Sequence, residues 1–231
     1  MSNNRLRWLG HAAIHLQTAD CLDILLDPWI SNPNAPKDVT FDKVDWILVT
    51  HAHADHVGEA VPLARQHKST IVSIGEVARY LGSAEVNAKG FNKGGSILIG
   101  KNRLHMVHAE HSSAVTDSDG TSRMVGEPVG FVLELYAGPT IYFAGDTALF
   151  GDMKLIGELY QPDLACLPID GHYTMSPKHA ALATRWLGVK RVLPIHSGTW
   201  AGQGTQDEFK AALAGSRVDI LTPTPGEWVE V

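Results

Sequence analysis

The chain has 231 residues, of which 44% are apolar, and this length and composition are typical of a globular protein with a substantial buried core. Its 19 lysine and arginine residues against 25 aspartate and glutamate residues give a net charge of −6, which argues against a nucleic-acid partner. No apolar stretch reaches the ~20 residues of a membrane span, and the N-terminal sequence lacks the apolar core of a signal peptide. With Cys21 and Cys166 as its cysteines, the sequence predicts reduced thiols and a cytoplasmic protein.

Short strand patterns dominate the first half of the chain. Residues 44–50 (VDWILVT) form a continuous apolar run, which is typical of a strand buried on both faces. Two prolines make residues 32–38 a loop, because proline continues neither regular structure. The other predicted elements here are strands at 6–18, 21–29 and 69–74, and helices at 58–68 and 74–83.

Consecutive strands are predicted from about residue 85 to 145, and helices and strands alternate after that. Residues 112–126 are polar and are predicted to form a loop lying over another part of the molecule. Ser176 is predicted to cap the N-terminus of a helix over residues 176–188. The remaining predictions are strands at 96–100, 102–109, 130–136, 140–145, 163–169, 191–196, 218–223 and 226–231, and helices at 150–160 and 205–213.

The order of these elements predicts the architecture. Strands come first and alternating strands and helices follow, in two strand-rich sets of similar size. This order favours two sheets packed face to face with helices outside them, an α/β (α+β) fold. Because the sequence shows no internal repeat and no low-complexity linker, we predict a single domain over residues 1–231.

Four side chains with lone pairs follow the predicted strand 44–50 within a six-residue stretch: His51, His53, Asp55 and His56. Alternate residues of an extended chain point the same way, so His51 and His53 should face one side. Asp55 and His56 come where a helix should begin, and the turn can fold them back towards the first pair. Imidazole and carboxylate are preferred ligands of zinc and similar ions. One catalytic site that keeps a position open for water needs fewer ligands, so the excess predicts two ions.

Further ligands should come from other strand ends that face the same pocket. His111, Asp146 and His196 each follow a predicted strand and are followed by small residues. A carboxylate has two oxygens, so it can bridge two ions. We therefore predict His51, His53 and His111 as ligands of one ion, Asp55, His56 and His196 as ligands of the other, and Asp146 as the bridge.

Other histidines and one aspartate are weaker candidates. His108 is an alternative to His111, since both lie near the end of the same predicted strand. His172 follows the strand at 163–169; it either donates a hydrogen bond to substrate or to a developing oxyanion, or is an exposed loop residue. His11 and Asp27 either orient ligating imidazoles or have ordinary turn and strand-end roles.

Several motifs of the chain resemble those of the metallo-β-lactamase superfamily. They are H-A-H-A-D-H, A-x-H-S-S, Y-F-A-G-D-T and P-I-H-S-G-T-W, with W-L-G-H near the start and G-E-P-V-G-F between. They are most similar to a branch of metal-dependent hydrolases related to ascorbate-6-phosphate lactonases. The resemblance covers about Trp8 to Glu227 and implies a four-layer αββα sandwich with the metals at one edge of the sheets. The best-known β-lactamases have Cys at the position of Asp146, which argues against antibiotic hydrolysis. Di-iron redox relatives have Glu at the position of His53.

The resemblance and the ligand set together predict a hydrolase. A hydroxide bridged by two divalent ions would cleave a small ester, lactone, amide or phosphoester, with zinc favoured over manganese or iron. Asp55 would orient the nucleophile or accept its proton, and His172 would assist. The alternatives are an iron-dependent redox protein using the same site and a metal-binding regulatory or scaffold protein without catalysis.

Substrate specificity is expected in loops, here residues 31–38, 112–126 and 171–176. The substrate is expected to be a small molecule, and the kinship with lactonases suggests a cyclic or phosphorylated ester. Lys178 and Arg123 could contact an anion, although exposed positions are expected for both. Because relatives of this family often assemble, a homo-oligomer is a further expectation.

Overall fold

The computed structural model describes residues 4–231. Its first sheet combines antiparallel and parallel strands. Its strands are β1 (Arg5–Trp8), β2 (Ile14–Gln17), β3 (Asp23–Leu26), β4 (Trp46–Leu48), β5 (Thr70–Ile74), β6 (Ala88–Phe91) and β16 (Trp228–Glu230). They are arranged in the order β16-β1-β2-β3-β4-β5-β6. The strands from β3 to β6 run parallel, whereas β16, β1, β2 and β3 pair antiparallel.

The second sheet is also mixed and has the order β15-β14-β13-β12-β11-β8-β7. Its strands are β7 (Ser96–Ile99), β8 (Asn102–His108), β11 (Val129–Glu134), β12 (Thr140–Phe143), β13 (Leu164–Pro168), β14 (Arg191–Ile195) and β15 (Asp219–Ile220). The strands from β12 to β15 run parallel, and β7, β8, β11 and β12 pair antiparallel. The predicted split into two strand-rich sets is therefore confirmed.

Within residues 4–231, the helices are α1 (Ala54–Val57), α2 (Ala60–His67), α3 (Gly75–Gly82), α4 (Met153–Tyr160), α5 (Pro177–Leu187) and α6 (Gln206–Ala212). The side chain of Ser176 accepts a hydrogen bond from the backbone N–H of His179, which confirms the predicted N-cap of α5. Thr205 and Glu208 form a capping box that starts α6. None of the helices described for this range has the length and apolar character needed to span a bilayer.

Two apolar cores define the layers. The larger core fills the space between the sheets and continues over the outer face of the first sheet. Ile47 and Leu48, which point to opposite faces of that sheet, therefore belong to one buried cluster with Phe131 and Phe143 of the second. Side chains of α2 and α3 join this cluster from the outer face of the first sheet. A separate cluster packs the outer face of the second sheet, including Tyr142, against α4, α5 and α6. The molecule is therefore the expected αββα sandwich.

The segment 112–126 differs from its prediction as a loop. It contains a small antiparallel hairpin made of β9 (Ala114–Thr116) and β10 (Ser122–Met124). Val115 is buried against the larger core, and the Ser113 hydroxyl donates a hydrogen bond to the carbonyl of Val125. Such short strands, with mostly exposed residues, show too little apolar alternation to be recognised in the sequence.

Candidate metal centre

The predicted ligands meet at one edge of the sandwich because the chain leaves several strands there. His51, His53, Asp55 and His56 lie in the turn after β4 and in α1. The other ligands follow β8, β12 and β14 of the second sheet, which places His111, Asp146 and His196 on the same edge. A crevice outside the carboxyl ends of parallel strands is the usual position of a site in such folds.

The first group consists of His51, His53 and His111, whose ligand nitrogens all lie within 4.8 Å of one another. The His51 Nε2 and His53 Nδ1 atoms are 2.9 Å apart. The His111 ring lies 5.2 Å from each of the other two rings, measured between centroids. Burial lowers the pKa of each of these imidazoles, so they are neutral at pH 7 and able to bind a cation.

The second group contains Asp55, His56 and His196, as predicted, and also His11. The Asp55 Oδ2 atom lies 3.1 Å from His11 Nε2, 3.8 Å from His196 Nε2 and 3.9 Å from His56 Nε2. Burial acts to raise the pKa of Asp55, but hydrogen bonds with His11 and His196 outweigh it, so the carboxyl is ionised. His11 was expected at most to orient an imidazole, whereas it contacts the Asp55 carboxylate directly.

Asp146 lies between the two groups. Its Oδ2 atom is 3.2 Å from His56 Nε2, 3.1 Å from His196 Nε2 and 3.7 Å from His111 Nε2. The carboxylate therefore reaches histidines of both groups, as a bridging ligand must.

The donor atoms fit a metal ion better than they fit one another. Asp146 Oδ1 and His56 Nε2 are buried, and among residues 4–231 neither has a partner with hydrogen-bonding geometry. Buried polar atoms are rarely left unpaired, because desolvating them costs free energy. A cation between the two groups, with His56 neutral, would give both atoms a partner. We conclude that these residues could hold metal ions.

Protons occupy part of this site in the metal-free protein. Burial acts to lower the pKa of His196, but the carboxylates of Asp146 and Asp55 raise it to about 9. The pKa of His56 is also raised, because Asp146 and Asp27 outweigh the effect of burial. Both imidazoles are therefore protonated at neutral pH without metal, and an ion that binds them must displace these protons.

We expect apparent metal affinity to rise with pH throughout the neutral range up to about 9, the raised pKa of His196. The sign follows from the raised pKa, because a proton on this imidazole competes with the ion below that pH and is lost above it. Calorimetric titration with Zn²⁺ in two buffers of different ionisation enthalpy would measure the proton release. An affinity that stays constant or falls over this range would contradict the assignment of His196 as a ligand.

Asp27 orients two of the candidate ligands, one through a direct hydrogen bond and one through Thr50. Its Oδ2 atom is 2.8 Å from His56 Nδ1, so the opposite nitrogen of that ring faces the site. The same oxygen accepts a hydrogen bond of 2.7 Å from the Thr50 hydroxyl, which in turn lies 3.0 Å from His51 Nδ1. One buried carboxylate thus orients a ligand of each group, which is the role that the sequence left open.

The Asp27→Asn variant is expected to bind metal about 10- to 100-fold more weakly. Both carboxylate oxygens of Asp27 have hydrogen-bond partners, whereas the amide has one oxygen and cannot accept at both positions. Competition with a chelator would measure the change. Asp23→Asn is a matched control, since Asp23 is also buried and lies 2.7 Å from His15 outside the site. Equal metal affinities in the two variants would show that Asp27 does not orient the ligands.

Three residues of the site have left-handed backbone conformations that non-glycine residues seldom adopt. The φ angles are 47° for His11, 43° for Asp27 and 54° for His196. The backbone N–H of His196 donates to the carbonyl of His11, which links two of these positions. Strained backbone of this kind is typical of functional sites, where the surrounding structure holds it.

The weaker candidates lie outside the two groups. His108 contacts Glu110 and Lys93 near the surface, so His111, and not His108, reaches the site. His172 is exposed at the rim of the cavity over the site and stacks edge-on against Tyr173, away from the ligand atoms. Its predicted catalytic role stays a prediction.

The cavity over the metal centre has a volume of about 1060 Å³. Of the three predicted specificity loops, 112–126 contributes Ser112 and 171–176 contributes its first part, whereas among the described residues none of 31–38 lines this cavity. Much of the cavity wall consists of residues that were not predicted from the sequence: Trp29, Asp170, Trp200, Ala201, Gly202 and Gln203. A tryptophan that follows the H-S-G-T motif was the available signal for Trp200.

Fold and site together define a class: an αββα protein with a histidine- and aspartate-rich centre at one sheet edge. Residues 23–197 match the family described as beta-lactamase superfamily domain. The chain is 43% identical over 233 residues to a UPF0173 metal-dependent hydrolase of Rubrobacter xylanophilus, with 98% of this chain and 96% of the relative covered. The chain belongs to the β-lactamase superfamily and is a metal-dependent hydrolase within it.

Solved structures agree with this assignment. Igni18, described as a novel metallo hydrolase from Ignicoccus hospitalis, superposes with a TM-score of 0.86 at 34% identity, covering 99% of this chain and 98% of that one. CmlA, a diiron β-hydroxylase from Streptomyces venezuelae, has a TM-score of 0.71 at 12% identity, covering all 100% of this chain and 54% of that one. At that identity, the likeness to CmlA concerns the fold alone.

Proposed function

We propose that the protein hydrolyses a small ester, lactone, amide or phosphoester with two divalent ions bound in this centre. The observation that carries the proposal is the Asp146 carboxylate, one oxygen of which lies within 3.7 Å of ligand nitrogens in both groups. His51, His53 and His111 hold one ion, and Asp55, His56 and His196 hold the other. Zinc is favoured over manganese and iron, because imidazole-rich sites with carboxylate ligands suit it well.

When bound, two such ions supply Lewis acidity and lower the pKa of a shared water towards ~7. The protein's own residues supply the positions and the proton acceptor. Asp55 lines the cavity with 26% of its side chain exposed, whereas Asp146 is almost fully buried. Asp55 is therefore the carboxylate that can accept a proton from the attacking water. His172, at the rim of the cavity, would donate a hydrogen bond to the substrate.

The test is a substrate screen with metal-free protein reloaded separately with zinc, manganese or iron. We expect hydrolysis of at least one ester, lactone, amide or phosphoester with zinc, and loss of this activity on chelation. If no metal supports hydrolysis of any member of the panel, the hydrolytic proposal is wrong. Oxygen consumption by the iron-loaded protein would instead support the redox alternative.

A further inference from the structure

Aromatic side chains form one side of the cavity over the metal centre. We call Trp29, Tyr173 and Trp200 the aromatic wall. Trp200 is its central member, because its ring lies 6.2 Å from the ring of Trp29, nearly parallel, and 6.2 Å from the ring of Tyr173. The Trp200 ring is also 5.1 Å from the ring of His11 and 5.9 Å from that of His196. The wall therefore begins directly at the metal centre.

Trp200 is held in place although its ring is open to the cavity. The Gln203 side-chain oxygen accepts hydrogen bonds from the backbone N–H groups of Thr199 and Trp200, at 2.8 and 2.9 Å. The Thr199 hydroxyl lies 2.9 Å from His11 Nδ1, which ties this loop to the metal centre. Even so, 42% of Trp200 and 62% of Tyr173 remain exposed. A rigid apolar surface left open beside a reactive centre is typical of a ligand-binding wall.

Apart from histidines, the ionised side chains that line the cavity are acidic. Asp55, Asp146 and Asp170 line it, and among residues 4–231 no lysine or arginine does. Asp170 is nearly fully buried, and within the described part of the chain its Oδ1 atom has no hydrogen-bond partner. The ions would offset the charge of Asp55 and Asp146, so an anionic group away from the ions would meet the Asp170 carboxylate with no lysine or arginine beside it.

The two cations considered from the sequence lie elsewhere. Arg123 is exposed and forms an ion pair of 2.8 Å with Asp117 on the β9–β10 hairpin. Lys178 lines a different cavity together with Glu208, between α5 and α6. Both residues are exposed, as expected, and neither lines the cavity over the metal centre, so the part of this cavity beyond the metal ions favours uncharged groups.

We propose that the substrate carries a flat, uncharged aromatic ring that stacks on Trp200 while its scissile carbonyl lies at the metal centre. This inference rests on the proposed hydrolytic function and narrows it to neutral aryl esters and aryl-substituted lactones. Phosphorylated and carboxylated substrates are disfavoured, in contrast to what kinship with a sugar-phosphate lactonase suggests. The Asp170 carboxylate and the aromatic wall act together in this selection.

Substrate pairs test the inference in the zinc-loaded protein. We expect phenyl acetate to have a higher kcat/KM than 4-carboxyphenyl acetate by about tenfold, because the added carboxylate would meet the Asp170 carboxylate. The Trp200→Ala variant should lower kcat/KM for phenyl acetate about tenfold, as expected for loss of one stacking contact, and should change that for methyl acetate by less than about twofold. Trp200→Phe should retain most of the phenyl acetate activity.

The control variant is Tyr136→Ala, which removes an exposed aromatic ring outside the cavity and should leave both substrates unaffected. Metal content is measured in every variant. Equal losses for phenyl and methyl acetate in Trp200→Ala at unchanged metal content would overturn the proposal, because the residue would then act on the centre itself. A preference for the carboxylated ester would overturn it as well.

A binding measurement separates this inference from the hydrolytic proposal. Acetophenone, a neutral aryl ketone that cannot be hydrolysed, should bind the zinc-loaded protein, and Trp200→Ala should weaken its binding about tenfold in calorimetric titration. If this result holds but neither acetate is hydrolysed, the aromatic subsite stands and the hydrolytic proposal fails. If acetophenone does not bind, or binds the variant equally well, the aromatic subsite is wrong whatever the hydrolytic activity.

Discussion

Replacing Asp146 with alanine is expected to lower the metal content from about two equivalents per chain to one or fewer, because the proposed bridge is lost. Hydrolysis should fall by about 10³-fold or more, since a Lewis-acid ion supplies several kcal/mol of transition-state stabilisation. The reason lies in the geometry, where one Asp146 oxygen stands 3.1 to 3.7 Å from three ligand histidines. Elemental analysis of purified, zinc-reloaded protein would measure the metal content.

A second carboxylate provides the control for this variant. Asp152 is exposed at the start of α4, and its side chain makes no capping hydrogen bond, so Asp152→Ala should retain full metal content. Asp146→Asn keeps the size of the buried side chain, so this variant is less prone to unfold than Asp146→Ala. Circular dichroism would show whether each variant is folded. A folded Asp146→Ala protein that still binds the wild-type amount of metal would show that Asp146 is not a bridging ligand.

Two substitutions of Asp55 should separate its two proposed roles. Asp55→Asn keeps an oxygen that can bind an ion but cannot accept a proton, so kcat should fall by about 10²- to 10⁴-fold with most of the metal retained. Asp55→Ala removes the ligand as well, and metal bound by the second group should then decrease. The position of Asp55, close to His11 and His196 and partly exposed to the cavity, is the basis for both expectations.

Metal analysis and kcat measured on the same preparations would test this division. Asp42→Asn, at an exposed loop position, serves as the matched control and should behave like wild type. If Asp55→Asn retained both metal and kcat, Asp55 would not be the proton acceptor. If it lost metal as completely as Asp55→Ala, a charged carboxylate would be needed for binding, and the catalytic role would have no independent support.

Predictions from short-range patterns agree best with the structure. His51, His53, Asp55 and His56 lie within one turn, so their meeting depends mainly on local backbone geometry. The strands and helices around them were recognisable because buried strands and amphipathic helices leave distinct apolar periodicities. The N-cap at Ser176 follows from equally local chemistry. The β9–β10 hairpin was missed because few of its residues are buried.

The more distant candidate ligands could be selected from the sequence, but their arrangement could not be predicted from it. His111, Asp146 and His196 could be selected because each follows a strand end, and strand ends of one sheet share an edge. The sequence left open whether His108 or His111 reaches the centre. That choice depends on where β8 ends and how the chain turns after it, which is decided by the pairing of β8 with β11.

The sequence by itself determined the αββα architecture and the family and selected the candidate ligands, since these depend on apolar periodicity and on motifs with local spacing. Only the tertiary structure decided that His11 contacts Asp55, that Asp27 orients His56, and that Trp200 stands over the centre. The first two contacts join residues 44 and 29 positions apart, which the pairing of β1 to β4 in the first sheet brings together. The Trp200 ring, which follows β14 of the second sheet, lies 5.1 Å from the His11 ring of the first, because the two sheets pack with their ends at the same edge and each contributes one side of the cavity.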